Sequence, residues 1–68
     1  MPELLTKETI DSLKARAAAS AHPREMVIDV LRAIQDANGW VPDEGVELAA
    51  AILGLPVIQV EEVATFYD

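Results

Sequence analysis

The chain has 68 residues, 51% of them hydrophobic, a formal net charge of −7 and no cysteine. So short a chain forms one domain at most, with a small core. Without cysteine, these residues offer no disulfide, no thiolate-held zinc or iron–sulfur cluster and no cysteine nucleophile. No apolar run is long enough to cross a bilayer and no secretory signal precedes the first helix, so we expect a soluble, cytoplasmic protein.

The charges are unevenly distributed along the chain. Basic and acidic side chains balance over residues 1–32, whereas residues 33–68 contain acidic side chains and no lysine or arginine. An acidic half of this kind repels nucleic acid and anionic membranes. We interpret it mainly as a source of solubility and of favourable helix starts. Complementarity to a basic partner surface is the alternative.

Apolar residues recur at helical spacing and predict an all-α fold, a small orthogonal bundle of four helices. The first helix, over residues 6–19, has a thin apolar stripe, so we expect it to fray or swing before the others. After a break at 20–22, Pro23 suits the first position of a second helix, over 23–38, because its missing N–H needs no partner there. The core-facing stripe of this helix contains Met26, Val27, Val30, Leu31 and Ile34.

Glycine, proline and aspartate mark the remaining helix boundaries. Gly39 is predicted to end the second helix, after which Trp40 folds back over Ile34. Asp43 is a good N-cap for the third helix, which is almost wholly apolar from 46 to 53 and should therefore be the central, buried one. Gly54 ends it, and Pro56 opens a fourth helix that continues to about residue 66. The inward-facing residues of the fourth helix are predicted to be Val57, Val60, Val63 and Ala64.

Two features suggest chemistry that their surroundings do not support. His22 is a lone histidine, and one histidine without a cysteine or a second histidine cannot hold a transition metal. Asp11-Ser12-Leu13 matches the tripeptide that carries phosphopantetheine in acyl carrier proteins, but it falls within a predicted helix and its flanks differ. With no phosphate-binding glycine loop and no catalytic triad, we expect no activity from this chain alone.

The third and fourth helices have the spacing of a helix-turn-helix pair, at residues 43–66. The second helix of this pair carries Glu61 and Glu62 and no basic residue. A helix that reads DNA needs lysine or arginine to contact phosphates and guanine edges. We therefore predict the helix-turn-helix geometry without nucleic-acid binding.

Several residues are predicted to lie on the wrong side of their helices for the core. At 100° per residue, Ile28 projects opposite the stripe of the second helix, and Ile58, Thr65 and Phe66 project away from the core side of the fourth. Single exposed apolar residues are common on soluble proteins. Because two helices each present them, we treat Ile28, Ile58, Thr65 and Phe66 as a candidate protein interface.

Four segments resemble one known family. Ala33-Ile34-Gln35, Gly39-Trp40-Val41-Pro42, Leu55-Pro56 and especially Val63-Ala64-Thr65-Phe66-Tyr67 are similar to the N-terminal region of the E-subunit family of NADH:quinone oxidoreductase (complex I). Related subunits occur in NAD-linked formate dehydrogenases and in hydrogenases. The similarity covers about residues 23–67, and residues 1–22 match nothing in particular.

The resemblance implies a helical domain followed by a thioredoxin-like domain whose cysteines hold a [2Fe–2S] cluster. Those cysteines follow the segment at 63–67, so no catalytic, cofactor or metal residue is assigned here. The implied division is an N-terminal helix and break at 1–22, a three-helix core at 23–68, and a cluster-binding domain after 68 that this chain lacks.

The implied role is docking within an NADH dehydrogenase-like electron-transport complex. The partners are the missing cluster domain and a flavin-bearing subunit that holds FMN and oxidises NADH. The complex would place the chain at the periphery of the inner membrane, without membrane or nucleic-acid contact. Quinone-, hydrogenase- and formate-type parents remain open. The alternative is a free-standing helical adaptor, without a redox role, that binds a flavin oxidoreductase or another protein.

Overall fold

The computed structural model describes residues 4–67 and contains helices and turns without strands in that range. The helices are α1 (Lys7–Ala19), α2 (Val27–Asn38), α3 (Asp43–Leu53) and α4 (Val57–Tyr67), and a 3-10 turn, Pro23–Met26, precedes α2. The predicted all-α fold of four helices is confirmed.

Two helix starts differ from the prediction, and a proline lies at each of them. Pro23 opens a 3-10 turn, in which the Glu25 N–H donates to the His22 carbonyl over 2.9 Å, and the α-helical pattern begins only at Val27. Turns of this kind are frequent at helix N-termini. Pro42, and not Asp43, is the N-cap of α3, since its carbonyl accepts a 2.8 Å hydrogen bond from the Gly45 N–H.

The core lies between α2 and α3 and is closed by α4 and the N-terminal region. α3 packs against each of the other three helices, as expected for the central one, while α2 supplies most of the large side chains that are fully buried. The stripe predicted for α2 is buried throughout. The buried residues are Leu5, Leu13, Ala17, Met26, Val27, Val30, Leu31, Ile34, Ala49, Ala50, Ile52, Leu53 and Val60.

The buried cluster includes side chains from both sides of the break at 20–22. α1 contributes Leu13 and Ala17, and Leu5 is buried just before the helix begins. Thr6 caps α1 by accepting the Thr9 N–H over 3.2 Å. Leu5 and Ile10 occupy the two positions of a hydrophobic staple around this cap. Residues 5–19 therefore share one core with the later helices, while the division at residue 22 stays a prediction.

α3 and α4 form the predicted helix-turn-helix pair. The chain bends by 119° between them, within the range of such pairs. Gly39 and Gly54 end α2 and α3 in the left-handed conformation, as expected. Within residues 4–67, no single helix has the length and hydropathy for crossing a membrane, although α3 and α4 reach both when taken together across their bend.

Trp40 lies differently from the prediction. Its side chain is 64% exposed, so it does not bury Ile34, which is nevertheless fully buried. Gly45 supplies part of the cover, because a Cβ atom there would lie 3.2 Å from Ile34 Cγ2. The absence of a side chain at Gly45 lets the start of α3 approach α2 closely.

Candidate protein-docking surface

Among the side chains of α4 whose burial is described, residues 57–66, one is strongly buried against the core. Val60 has no exposed surface, and Val63 and Ala64 are half-buried beside it. Val57, predicted to face inward, is 38% exposed. It is the first residue of α4 and directly follows Pro56. Over residues 57–66, the core contact of α4 therefore depends on Val60 more than on Val57.

The opposite side of α4 exposes large apolar groups. Ile58 is 68% exposed and Phe66 is 87% exposed. Thr65 is also exposed, and its hydroxyl donates to the Glu61 carbonyl within the helix over 2.9 Å. Residues seven apart lie nearly above each other on a helix, so Ile58 and Thr65 share one side, with Phe66 beside them. We name Ile58, Thr65 and Phe66 the α4 outer face.

Ile28, the fourth residue predicted for the interface, differs from the other three. It lies on α2 and is half-buried. The structure thus places three of the predicted interface residues along one helix and the fourth on another. Whether Ile28 belongs to the same interface stays a prediction.

Trp40 is an exposed aromatic residue that sequence reasoning misplaced. It borders a groove of about 310 Å³ between α2, α3 and α4. On α4 the groove reaches Ala64, which lies 120° around the helix from Ile58, so it is separate from the α4 outer face. The groove is lined by Leu31, Gln35, Gly39, Trp40, Val41, Val46 and Ala64.

Carboxylates surround the start of α3 and the middle of α4. A groove of about 380 Å³ is lined by Asp43, Glu44, Glu47 and Glu61, together with Val46. No lysine or arginine follows Arg32 in the sequence, so none from this half neutralises these groups. The surface around α3 and α4 is therefore acidic, and it complements a basic partner better than an acidic one.

The described residues contain no group of three or more histidine, aspartate or glutamate side chains placed to hold a metal ion. The sequence has one histidine and no cysteine. This region offers another molecule exposed apolar side chains and negative charge, which are features that suit protein binding.

Comparison with known proteins places the chain in a family. The family model for the thioredoxin-like [2Fe-2S] ferredoxins matches residues 10–68. The chain belongs to this family. No solved structure matches it significantly.

Curated relatives of this ferredoxin-family chain share one description, the E subunit of NADH-quinone oxidoreductase. The chain is 47% identical, over 46 residues, to that protein from Escherichia coli (strain K12), a stretch that covers 68% of this chain and 28% of the relative. It is 35% identical over 64 residues to the corresponding protein of Buchnera aphidicola, which covers 94% of this chain and 40% of the relative. The chain therefore spans less than half the length of these relatives.

The family's [2Fe–2S] cluster does not fit the residues of this chain. Such clusters are held by cysteine thiolates, with histidine replacing two of them in some centres. A sequence with no cysteine and one histidine cannot supply either set. The ligands of any cluster must come from outside these 68 residues.

Proposed function

We propose that this chain is the helical assembly domain of an electron-transfer subunit of an NADH-linked oxidoreductase, similar to the E subunit of NADH-quinone oxidoreductase. The domain itself carries no redox centre. Its [2Fe–2S] cluster lies in a further domain, and FMN and NADH lie in a partner subunit. The domain's task is to hold the cluster-bearing part in place against that flavin-bearing subunit, within a complex-I-like assembly peripheral to the membrane.

The observation that carries this proposal is the exposure of Ile58 and Phe66 on a helix whose other side is buried. Covering a side chain of this size contributes roughly 1.5–3 kcal/mol when it goes from fully exposed to fully buried. Two such residues, about two turns apart on one side of α4, provide apolar anchors for an interface, of the kind that contributes much of the binding energy. Family membership and the similarity to the E subunit support an electron-transfer complex as the setting.

The acidic groups beside these side chains support orientation more than affinity. Glu62 lies between Ile58 and Phe66 on the α4 outer face, four residues from each, and Glu61 lies at its edge, while no basic side chain is present on α4. Charges at the rim of an interface steer association and exclude partners of the same sign. We expect the surface that covers Ile58 and Phe66 to be apolar where it meets these two side chains and basic where it meets Glu61 and Glu62.

The experiment uses a chimera of the Escherichia coli relative in which the matched 46 residues come from this chain. It is co-expressed with a tagged flavin-bearing subunit, and recovery of the pair is measured. We expect the combined Ile58→Ala and Phe66→Ala substitutions to reduce recovery at least about tenfold, since hot-spot truncations cost about 2 kcal/mol or more.

Trp40→Ala is the matched control, because Trp40 is also large and 64% exposed but lies outside the α4 outer face. It should leave recovery unchanged. Loss of recovery with Trp40→Ala alone would place the interface at the groove beside Trp40 and contradict the proposal. If the unsubstituted chimera is not recovered with the flavin-bearing subunit, the free-standing adaptor becomes the better account.

A further inference from the structure

The side chain of Asn38 connects two distant parts of the chain. It lies at the end of α2, and its Nδ2 donates hydrogen bonds to the Leu4 carbonyl over 2.9 Å and to the Ile34 carbonyl over 2.8 Å. The first partner is 34 positions away along the sequence and the second is in the preceding turn of α2. Both acceptors are carbonyls, so this position requires a donor with two N–H groups.

These hydrogen bonds hold residues 4–6, which we name the N-terminal segment, over the core. Leu5, next to the bonded carbonyl, is buried. Two grooves lie on either side of the segment. One, of about 340 Å³, is bordered by Leu4, Leu5, Ile10 and Leu48. The other, of about 470 Å³, is bordered by Leu4, Leu5, Ala33 and Ala37. Displacement of residues 4–5 would join the two grooves and expose the apolar floor beneath Leu5.

Asn38 is also followed by Gly39, and it is the single asparagine of the sequence. In an Asn-Gly pair no side chain hinders attack of the glycine nitrogen on the asparagine Cγ. A bond then forms between Gly39 N and Asn38 Cγ, the Cγ–Nδ2 bond breaks, and the nitrogen leaves as ammonia with the proton of the glycine N–H. Water from the solvent opens the resulting succinimide ring to aspartate or isoaspartate.

While the N-terminal segment is bound to Asn38, both nitrogens of this reaction donate hydrogen bonds. The Gly39 N–H donates to the Gln35 carbonyl over 2.6 Å, and Asn38 Nδ2 is held by its two carbonyls. Attack needs the end of α2 to open and the side chain to rotate, which the contact with Leu4 opposes. Release of the N-terminal segment removes that restraint and leaves the rest of the fold in place.

We propose that Asn38 is a self-modification site: its amide holds the N-terminal segment closed, and deamidation at Asn38-Gly39 releases that segment irreversibly. The carboxylate that forms lacks the two N–H donors and faces two carbonyl oxygens, so both hydrogen bonds are lost. The new charge also lies at the C-terminus of α2, where the helix dipole disfavours an anion.

The first test follows the mass of the intact purified chain during incubation at neutral pH, and peptide mapping assigns the converted amide to Asn38 and not to Gln35 or Gln59. Leu5→Ala removes buried contacts between the N-terminal segment and the core, whereas Val60→Ala removes buried contacts between α4 and the core. With urea added to equalise their global stability, we expect Leu5→Ala to deamidate roughly tenfold faster than Val60→Ala. Equal rates would show that the reaction requires global unfolding, and would overturn the proposal.

The second test compares Asn38→Asp with Gln59→Glu, which adds the same charge on α4 without touching the N-terminal segment. Hydrogen exchange is measured at the Ile10 amide, whose 3.0 Å hydrogen bond to the Thr6 carbonyl belongs to the start of α1. We expect exchange there to accelerate roughly tenfold in Asn38→Asp and not in Gln59→Glu. Unchanged exchange in Asn38→Asp would show that the amide does not hold the segment.

Discussion

The two sides of α4 contain similar side chains and have opposite surroundings. On the inner side Val60 is fully buried against the core, while on the outer side Ile58 and Phe66 remain 68% and 87% exposed. Each side carries large apolar residues, so the hydropathy of those residues alone does not tell which of them are buried. The difference lies in what covers them: α2 and α3 cover the inner side, and nothing in the described residues covers the outer one.

This comparison separates residues that stabilise the domain from residues that are available to bind. A buried side chain contributes through the apolar surface that it removes from water, whereas an exposed one contributes little until a partner arrives. In a domain this small, with a total stability of about 5 kcal/mol, the two sets should be clearly distinguishable by experiment.

The largest effect is expected at the inner side. Val60→Asp places an unpaired carboxylate where no water reaches it, and such burial costs several kcal/mol, comparable to the whole stability of the domain. We expect no cooperative thermal transition by circular dichroism in the purified chain. A melting curve that coincides with that of the wild type would contradict the orientation of α4.

A smaller loss is expected where α3 approaches α2. Gly45→Ala gains helix propensity, but its Cβ would meet side-chain atoms of Ile34, Val41 and Pro42 at 3.2–3.4 Å. Because these contacts come from several directions, we expect overpacking to prevail, with a destabilisation of about 1–2 kcal/mol in urea unfolding. An Ala variant more stable than the wild type would show that the interface between α2 and α3 has room to adjust.

Val57 tests the boundary between the two sides, since it is 38% exposed. Truncation of a partly buried valine removes less apolar contact than truncation of Val60 does. We expect Val57→Ala to reduce the free energy of unfolding by roughly 0.5–1 kcal/mol, measured by urea unfolding. A loss as large as that of Val60→Ala would assign Val57 to the inner side.

The smallest effect on stability is expected at the outer side. Phe66→Ala should change the free energy of unfolding of the isolated chain by only a few tenths of a kcal/mol, whereas truncation of a buried phenylalanine costs about 3–5 kcal/mol. Thermal melts of the two proteins should nearly coincide. A loss in the range of a buried phenylalanine would place Phe66 in the core and end the distinction between the two sides.

Much of the fold could be predicted from the sequence because its signals are local. The i, i+3, i+4 stripe from Val27 to Ile34 is one such signal, and the glycines at 39 and 54 are another. The exposure of Ile58 and Phe66 also followed from helical spacing. Local periodicity is sufficient in these cases since a helix fixes the directions of its own side chains.

The misplaced residues depend on contacts between separate elements. Trp40 lies in the short connection between α2 and α3, so no helical periodicity fixes the direction of its side chain. The burial of Leu5 has a weak local signal, the spacing of Leu5, Thr6 and Ile10 around a helix cap. The Asn38 contact with Leu4 joins residues 34 positions apart, which the sequence pattern does not reveal.

The most direct test of the docking role is photo-crosslinking from the α4 outer face in an assembled complex. A photoreactive phenylalanine analogue replaces Phe66 in the chimeric protein, and Trp40 is replaced in a parallel control. The account predicts that position 66 forms crosslinks to the cluster-binding domain or to the flavin-bearing subunit, at a much higher yield than position 40. Crosslinks from position 40 with none from position 66 would contradict the assignment of the α4 outer face as the docking surface.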